Sequence, residues 1–117
     1  MRVLLVDDDT AALEIRKLVL ERHGHEVTLA EDPAAARVAL ATADPDVVIT
    51  DLRLPKASDG LYLIRDLREA SPKLRIIVLC GNAGDIEGRE EAKLVDRILV
   101  KPVRSEVLFK AIAPVRD

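Results

Sequence analysis

Residues 46–51 read DVVITD, a largely apolar run that ends in Asp51. Runs of the same kind occupy residues 3–6, VLLV, and residues 74–80, LRIIVLC. Continuous β-branched and leucine runs of this length are typical of strands that are buried on both faces of a parallel sheet. The sequence therefore predicts a fold organised around such a sheet.

Helical patterns alternate with the apolar runs along the whole chain. We predict strands at residues 3–6, 26–30, 46–50, 74–80 and 98–100. Helices are predicted at residues 11–23 and 33–41, after the loop 55–60, at 86–93 as a short polar helix, and as a closing helix striped by Leu108, Ala111, Ile112 and Val115. This alternation predicts an α/β protein of the flavodoxin-like (βα)5 type, with a doubly wound parallel sheet of five strands in the order 2-1-3-4-5.

Length and composition narrow the class of protein. A chain of 117 residues with 49% apolar content suits one globular domain over residues 1–117. A net charge of −3 without a basic tract argues against nucleic-acid binding, and the short apolar runs argue against a membrane span. The single cysteine, Cys80, suits a reducing compartment, and acidic residues from position 7 onward leave no room for the apolar part of a signal peptide. We expect a cytoplasmic domain.

Charged residues follow three of the five predicted strands. Strand one is followed by Asp7, Asp8 and Asp9, strand three by Asp51, and strand five by Lys101. The carboxyl ends of parallel strands meet at one edge, where ligands of open α/β sheets bind. We interpret Asp9 as a helix cap, since that is the common role of an aspartate after a strand.

The remaining carboxylates, brought together at this edge, need a positive partner. Clustered carboxylates repel one another unless a cation neutralises them, and Mg²⁺ is a hard ion that takes oxygen ligands. A nucleophilic aspartate, a divalent metal and a lysine together form a site for phosphoryl transfer. The sequence thus predicts a phosphoryl-transfer site in which an aspartate is the nucleophile and Lys101 carries the positive charge.

The motifs quoted above resemble those of the receiver (chemotaxis-regulator-like) family over essentially the whole chain. Residues 3–9 resemble the first strand and acidic pair of that family, and residues 45–55 resemble its phosphoacceptor segment. Asp59-Gly60 resembles the turn that opens helix three, and residues 99–102 resemble the last strand with its Lys-Pro, where the family commonly has a cis peptide.

This resemblance implies a set of roles. Asp51 would accept a phosphoryl group from a sensor histidine kinase or a phosphotransfer protein. Asp8 would ligate Mg²⁺ with Asp51 and the backbone carbonyl of Arg53, Asp7 would act mostly through a metal-bound water, and Lys101 would contact the phosphoryl oxygens. The domain would relay the signal by conformational change to an output domain or a downstream protein, without turning over a substrate as an enzyme does.

Two positions depart from the family pattern. Cys80 stands where the family usually has Thr or Ser, and a thiol is a weaker hydrogen-bond donor than a hydroxyl. Ile98 stands where the family usually has an aromatic residue. The loop 54–60 is a third departure, because it is one residue longer than is usual in the family. We therefore hypothesise that phosphorylation is reported through residues 81–93, which contain three glycines and few apolar anchors.

Alternatives to a phosphorylated switch stay open at this point. The departures at Cys80 and Ile98 favour a pseudo-receiver, a protein-binding module that works without phosphorylation. The run Asp7-Asp8-Asp9-Thr10 is similar to the nucleophile motif of haloacid-dehalogenase phosphatases, but it is one residue short and leaves Asp51 without a role. A stand-alone regulator and a segment of a longer protein are both compatible with the sequence.

Overall fold

Five parallel strands form one sheet at the centre of the computed structural model, which describes residues 1–113. In chain order the strands are β1 (Arg2–Val6), β2 (Glu26–Ala30), β3 (Val47–Asp51), β4 (Arg75–Cys80) and β5 (Arg97–Val100). Their spatial order is β2-β1-β3-β4-β5, and every neighbouring pair is parallel. The predicted fold class and strand order are confirmed.

Helices cover both faces of the sheet. Within residues 1–113 the α-helices are α1 (Thr10–Arg22), α2 (Pro33–Ala43), α3 (Ala57–Ala70) and α4 (Ser105–Ile112). Two short 3-10 helices, Ala83–Asp85 and Glu90–Leu94, lie between β4 and β5. None of the helices in this part of the chain is long and apolar enough to cross a membrane.

The core consists of two layers because successive side chains of a strand point to opposite faces of the sheet. Leu4, Val48 and Ile76 point to the layer that contains α2 and α3. Leu5 and Ile77 point to the other layer, which contains the buried side chains Leu13, Leu20, Leu108 and Ile112 of α1 and α4. The central strands are buried on both faces, which accounts for their continuous apolar runs.

Aspartate caps begin the first two helices, and the cap at Asp9 is the one predicted above. The Asp9 carboxylate accepts a hydrogen bond from the backbone N–H of Ala12 at 3.2 Å. The Asp32 carboxylate accepts one from the N–H of Ala35 at 2.7 Å, and Pro33 occupies the first helical position. These bonds satisfy N–H groups that lack a partner inside the helix, so they fix where α1 and α2 start.

Helix α3 begins earlier than predicted. The sequence indicated a loop through residues 55–60, but the helix starts at Ala57 and includes Asp59 and Gly60. The Asp59 carboxylate accepts a hydrogen bond from the N–H of Lys56 at 3.0 Å, which closes the first turn. Gly60 disfavours a helix by its intrinsic propensity, but here it permits close packing against the backbone of Leu52.

The polar helix predicted at residues 86–93 is absent, so residues 1–113 contain four α-helices where five were expected. The two 3-10 helices stand in its place, and Gly88 between them has a positive φ of 79°. Tertiary contacts hold this segment: Arg65 of α3 forms an ion pair with Glu91 at 2.6 Å. The buried stripe Leu108, Ala111 and Ile112 of the closing helix is confirmed, and Val115 lies outside the described residues.

Candidate functional site

Three aspartates meet at the carboxyl edge of the sheet. Val6 of β1 lies beside Thr50 of β3 in the parallel register, so the residues that follow them are brought together. One carboxylate oxygen from each of Asp7, Asp8 and Asp51 lies within 4.8 Å of the others. Asp7 and Asp51 are buried and Asp8 is exposed, so the cluster opens to solvent on one side.

The lysine predicted for this edge, Lys101, also lies there. Lys101 Nζ lies 2.6 Å from Asp51 Oδ1. Its backbone N–H donates to the carbonyl of Cys80 at 2.8 Å, which continues the pairing of β5 with β4 and places the lysine at the strand end. The Lys101-Pro102 peptide is cis. The structure thus brings Asp7, Asp8, Asp51 and Lys101 into one site.

Arg16 adds a second cation that the sequence analysis missed. Its Nη1 donates to Asp7 Oδ2 at 2.7 Å, and the other carboxylate oxygen of Asp7 accepts the backbone N–H of Asp9 at 3.0 Å. A signal for it exists in the sequence, because Arg16 lies three residues after Leu13 and four before Leu20, on the face that packs on the sheet. A charge on that face indicates a buried partner.

The two buried carboxyls have opposite pKa shifts. Burial raises the pKa of Asp51, and the neighbouring negative charge of Asp7 adds to this, although Lys101 opposes it. Burial alone would also raise the pKa of Asp7, but the backbone N–H of Asp9 and the guanidinium of Arg16 outweigh it, so this pKa is lowered. Asp7 is therefore a firmly ionised anchor, whereas the charge on Asp51 depends on nearby cations.

A small cavity opens beside Asp51. Its volume is about 220 Å³, and its lining consists of Asp51, Leu52, Arg53, Cys80, Gly81, Asn82, Asp85 and Lys101. Across its mouth, Arg53 Nη2 forms an ion pair with Asp85 Oδ2 at 2.9 Å, a contact that the sequence analysis also missed. The cavity places the Asp51 carboxylate, Lys101 and Arg53 around one space.

Both departures from the family pattern lie in the sheet. The Cys80 thiol is buried, burial raises its pKa, and its Sγ lies 3.8 Å from the carbonyl oxygen of Leu99, to which it donates. The thiol hydrogen is therefore already used in a hydrogen bond within the sheet. The side chain of Ile98 packs against the core layer of α2 and α3.

Asp7, Asp8 and Asp51 suit a divalent metal by the chemistry of their donor atoms. Three carboxylate oxygens from two adjacent strand ends form a set of hard ligands at a solvent-open edge. Mg²⁺ retains several waters and usually takes only one or two carboxylates from the protein, so this site offers enough ligands without a closed cage.

Comparison with known proteins identifies the family. The model of the response regulator receiver domain matches residues 3–113. Response regulator MprA of Mycobacterium avium (strain 104) is 37% identical over 112 residues, which cover 93% of this chain and 48% of MprA. The virulence transcriptional regulatory protein PhoP of Salmonella typhimurium is 40% identical over 84 residues, which cover 72% of this chain and 37% of PhoP. The chain thus spans about half or less of the length of these relatives.

Solved structures agree with this match. A response regulator receiver domain protein from Clostridium thermocellum is 31% identical, with a TM-score of 0.83 over 95% of this chain and 90% of the other. The response regulator TrrA from Thermotoga maritima, solved in complex with Mg²⁺-BeF, is 25% identical, with a TM-score of 0.85 over 95% of each chain. Together with the family match over residues 3–113, these likenesses show that the chain belongs to the response regulator receiver domain family of two-component systems.

Proposed function

We propose that this receiver domain is a phosphorylated switch, in which Asp51 accepts a phosphoryl group from a phosphohistidine in a Mg²⁺-dependent reaction. The donor is a sensor histidine kinase or a phosphotransfer protein acting in the cytoplasm. The observation that carries this proposal is the position of Asp51, which is buried, 2.6 Å from Lys101 and within 4.8 Å of two further aspartates.

The reaction can be written so that its bonds balance. An Asp51 carboxylate oxygen attacks phosphorus, the P–N bond to the donor imidazole breaks, and its electron pair stays on the imidazole nitrogen. Lys101 would exchange its contact with Asp51 for a phosphoryl oxygen, because its side chain lines the cavity that the phosphoryl group would enter. Arg53 lines the same cavity and adds positive charge near the entering group.

Three groups would hold the metal: the carboxylates of Asp8 and Asp51 and the backbone carbonyl of Arg53. Asp7 would act mostly through a water on that ion. A bound divalent cation supplies neutralisation of the charge that accumulates on the phosphoryl oxygens. The role of the chain is to keep Asp51 ionised beside Lys101, and the raised pKa of Asp51 explains why this carboxylate needs cations around it.

Intact-mass analysis after incubation with acetyl phosphate tests the proposal. We expect a single phosphoryl adduct that requires Mg²⁺ and disappears in Asp51→Asn. The matched control is Asp44→Asn, because Asp44 is exposed and has a left-handed φ of 47°, which asparagine tolerates. An adduct that survives in Asp51→Asn contradicts the assignment of the acceptor.

The second candidate is a pseudo-receiver that binds a partner without phosphorylation. It is favoured by the Cys80 thiol, which donates to Leu99, and by Ile98, which has no ring to reorient. A folded protein that gives no adduct and binds no beryllofluoride would support this candidate. We propose in either case that the chain is not a multiple-turnover enzyme and that an output domain or a downstream protein reads its state.

A further inference from the structure

Arg16 stands at a position of α1 where the helical pattern predicts an apolar side chain. Leu13 and Leu20 are buried on the face of α1 that packs on the sheet, and Arg16 lies between them on the same face. Its side chain is only 23% exposed. Arg16 also lines a groove of about 560 Å³ together with Val19 and Leu108, and its guanidinium bonds to a polar partner inside the protein.

That partner is the most deeply buried carboxylate of the acidic cluster. The side chain of Asp7 is 3% exposed, and Arg16 Nη1 lies 2.7 Å from its Oδ2. The other oxygen already accepts the N–H of Asp9. Both oxygens of Asp7 are therefore bonded within the chain.

The charges of the site almost balance without a metal. Three carboxylates, Asp7, Asp8 and Asp51, face two cations, and the cations are paired one to one: Arg16 with Asp7 and Lys101 with Asp51. A divalent cation that enters here meets one exposed carboxylate and two that are already neutralised.

We propose that Arg16 is a built-in counter-cation of this cluster, which holds Asp7 while the metal site is empty and weakens the binding of a divalent cation. The inference rests on the metal site of the proposed function, and it makes Arg16 a positioning residue that sets the Mg²⁺ affinity. With this arginine, the site becomes occupied by Mg²⁺ only at a higher Mg²⁺ concentration than it would with an apolar residue at position 16.

The test is a Mg²⁺ titration of the full chain, followed by amide chemical shifts in two-dimensional NMR. Arg16→Met keeps the length of the stem and removes the charge, so we expect Mg²⁺ to bind roughly tenfold more tightly. Arg16→Lys keeps the charge, and its dissociation constant should stay near that of the wild type. The matched control is Arg22→Met, which removes an exposed charge from the other end of α1 and should leave Mg²⁺ affinity unchanged.

Thermal unfolding separates this role from a purely structural one. Without metal, Arg16→Met should be less stable than the wild type, and Mg²⁺ should raise its Tm by more than it raises that of the wild type. Equal dissociation constants in Arg16→Met and the wild type, with equal losses of Tm in both metal states, would overturn the proposal. Arg16→Gln gives the same comparison if the methionine variant does not fold.

Two further outcomes are distinct from each other. Absence of Mg²⁺ binding in the wild type and in both neutral variants overturns the inference, because removing the arginine then uncovers no metal site. Tighter Mg²⁺ binding in Arg16→Met without any phosphoryl adduct on Asp51 supports the inference, while it contradicts the proposed function.

Discussion

Replacing Gly60 with alanine should destabilise the domain, although the same change in a helix normally stabilises it. Gly60 lies in the first turn of α3 and is buried against the backbone of Leu52. A Cβ at this position would lie 2.6 Å from the Leu52 carbonyl carbon and 2.8 Å from its Cα, and closer still to the carbonyl oxygen. These are backbone atoms, which cannot move aside as the end of a flexible side chain can.

The size of the effect follows from two opposed contributions. Alanine gains about 1 kcal/mol over glycine in helix propensity. Overpacking against a fixed neighbour costs roughly 1–3 kcal/mol and sometimes more, and here the overlap is severe. We expect a net loss of about 2 kcal/mol in the free energy of unfolding. For a domain of this size that corresponds to a fall in Tm of roughly 8 °C.

Urea unfolding followed by far-UV circular dichroism measures this loss, with a constant m-value as the check that only stability has changed. The matched control is Gly81→Ala, because nothing lies within 4 Å of a Cβ at Gly81 and its φ is not left-handed. That variant should be as stable as the wild type or slightly more stable. A Gly60→Ala protein with the stability of the Gly81→Ala protein would refute the close contact of α3 with Leu52.

Four further predictions concern the site and the segment beside it. Because the pKa of Asp7 is lowered, its ionised carboxylate stabilises the fold above the ordinary carboxyl pKa, and this contribution is lost as pH falls through the lowered value. Asp7→Asn should therefore lower the free energy of unfolding by about 1–2 kcal/mol at pH 7 and by progressively less in acid. The raised pKa of Asp51 acts in the opposite sense, because its contribution to stability is greatest below the unfolded pKa and is lost as pH rises through the raised value. Asp51→Asn should therefore stabilise the fold at pH 7. Urea unfolding from pH 3 to 7 checks both signs, and a parallel loss of stability in the two variants would contradict them. Lys101→Met should slow phosphorylation by acetyl phosphate on the order of a hundredfold in time-resolved mass analysis, with the exposed Lys110→Met as control; an unchanged rate would remove Lys101 from the mechanism. Beryllofluoride should slow amide exchange in residues 81–93 and leave exchange in α2 unchanged. Residues 81–93 contain only short 3-10 helices, so they should open more easily than a full helix and gain more protection from the ligand. Equal exchange with and without beryllofluoride would exclude residues 81–93 as the segment that reports phosphorylation.

The position of the site could be predicted from the sequence because it depends on local patterns. The apolar runs define the buried strands, and the residues that end them, Asp7, Asp51 and Lys101, have to meet once the strands lie parallel. The helix start at Asp9 was also predictable, because a cap is a bond between residues only three apart.

Predictions failed where a distant contact outweighed a local preference. The predicted loop 55–60 extended through Gly60, a residue of low helix propensity. The helix nevertheless includes this position, because only a glycine can pack so closely against the backbone of Leu52. Residues 86–93 indicated a helix by their charges. Ion pairing of Glu91 with Arg65, 26 residues earlier, and the left-handed φ of Gly88 hold the segment as short turns.

The sequence by itself determined the parallel sheet and the acidic and basic residues that meet at its carboxyl edge. Periodicity and strand ends are properties of neighbouring residues, so they can be read without coordinates. Tertiary structure alone decided how those charges are paired: Arg16 with Asp7, Lys101 with Asp51, and Arg53 with Asp85. Pairing depends on distances of a few ångströms between separate elements, and those distances exist only after the helices have packed on the sheet.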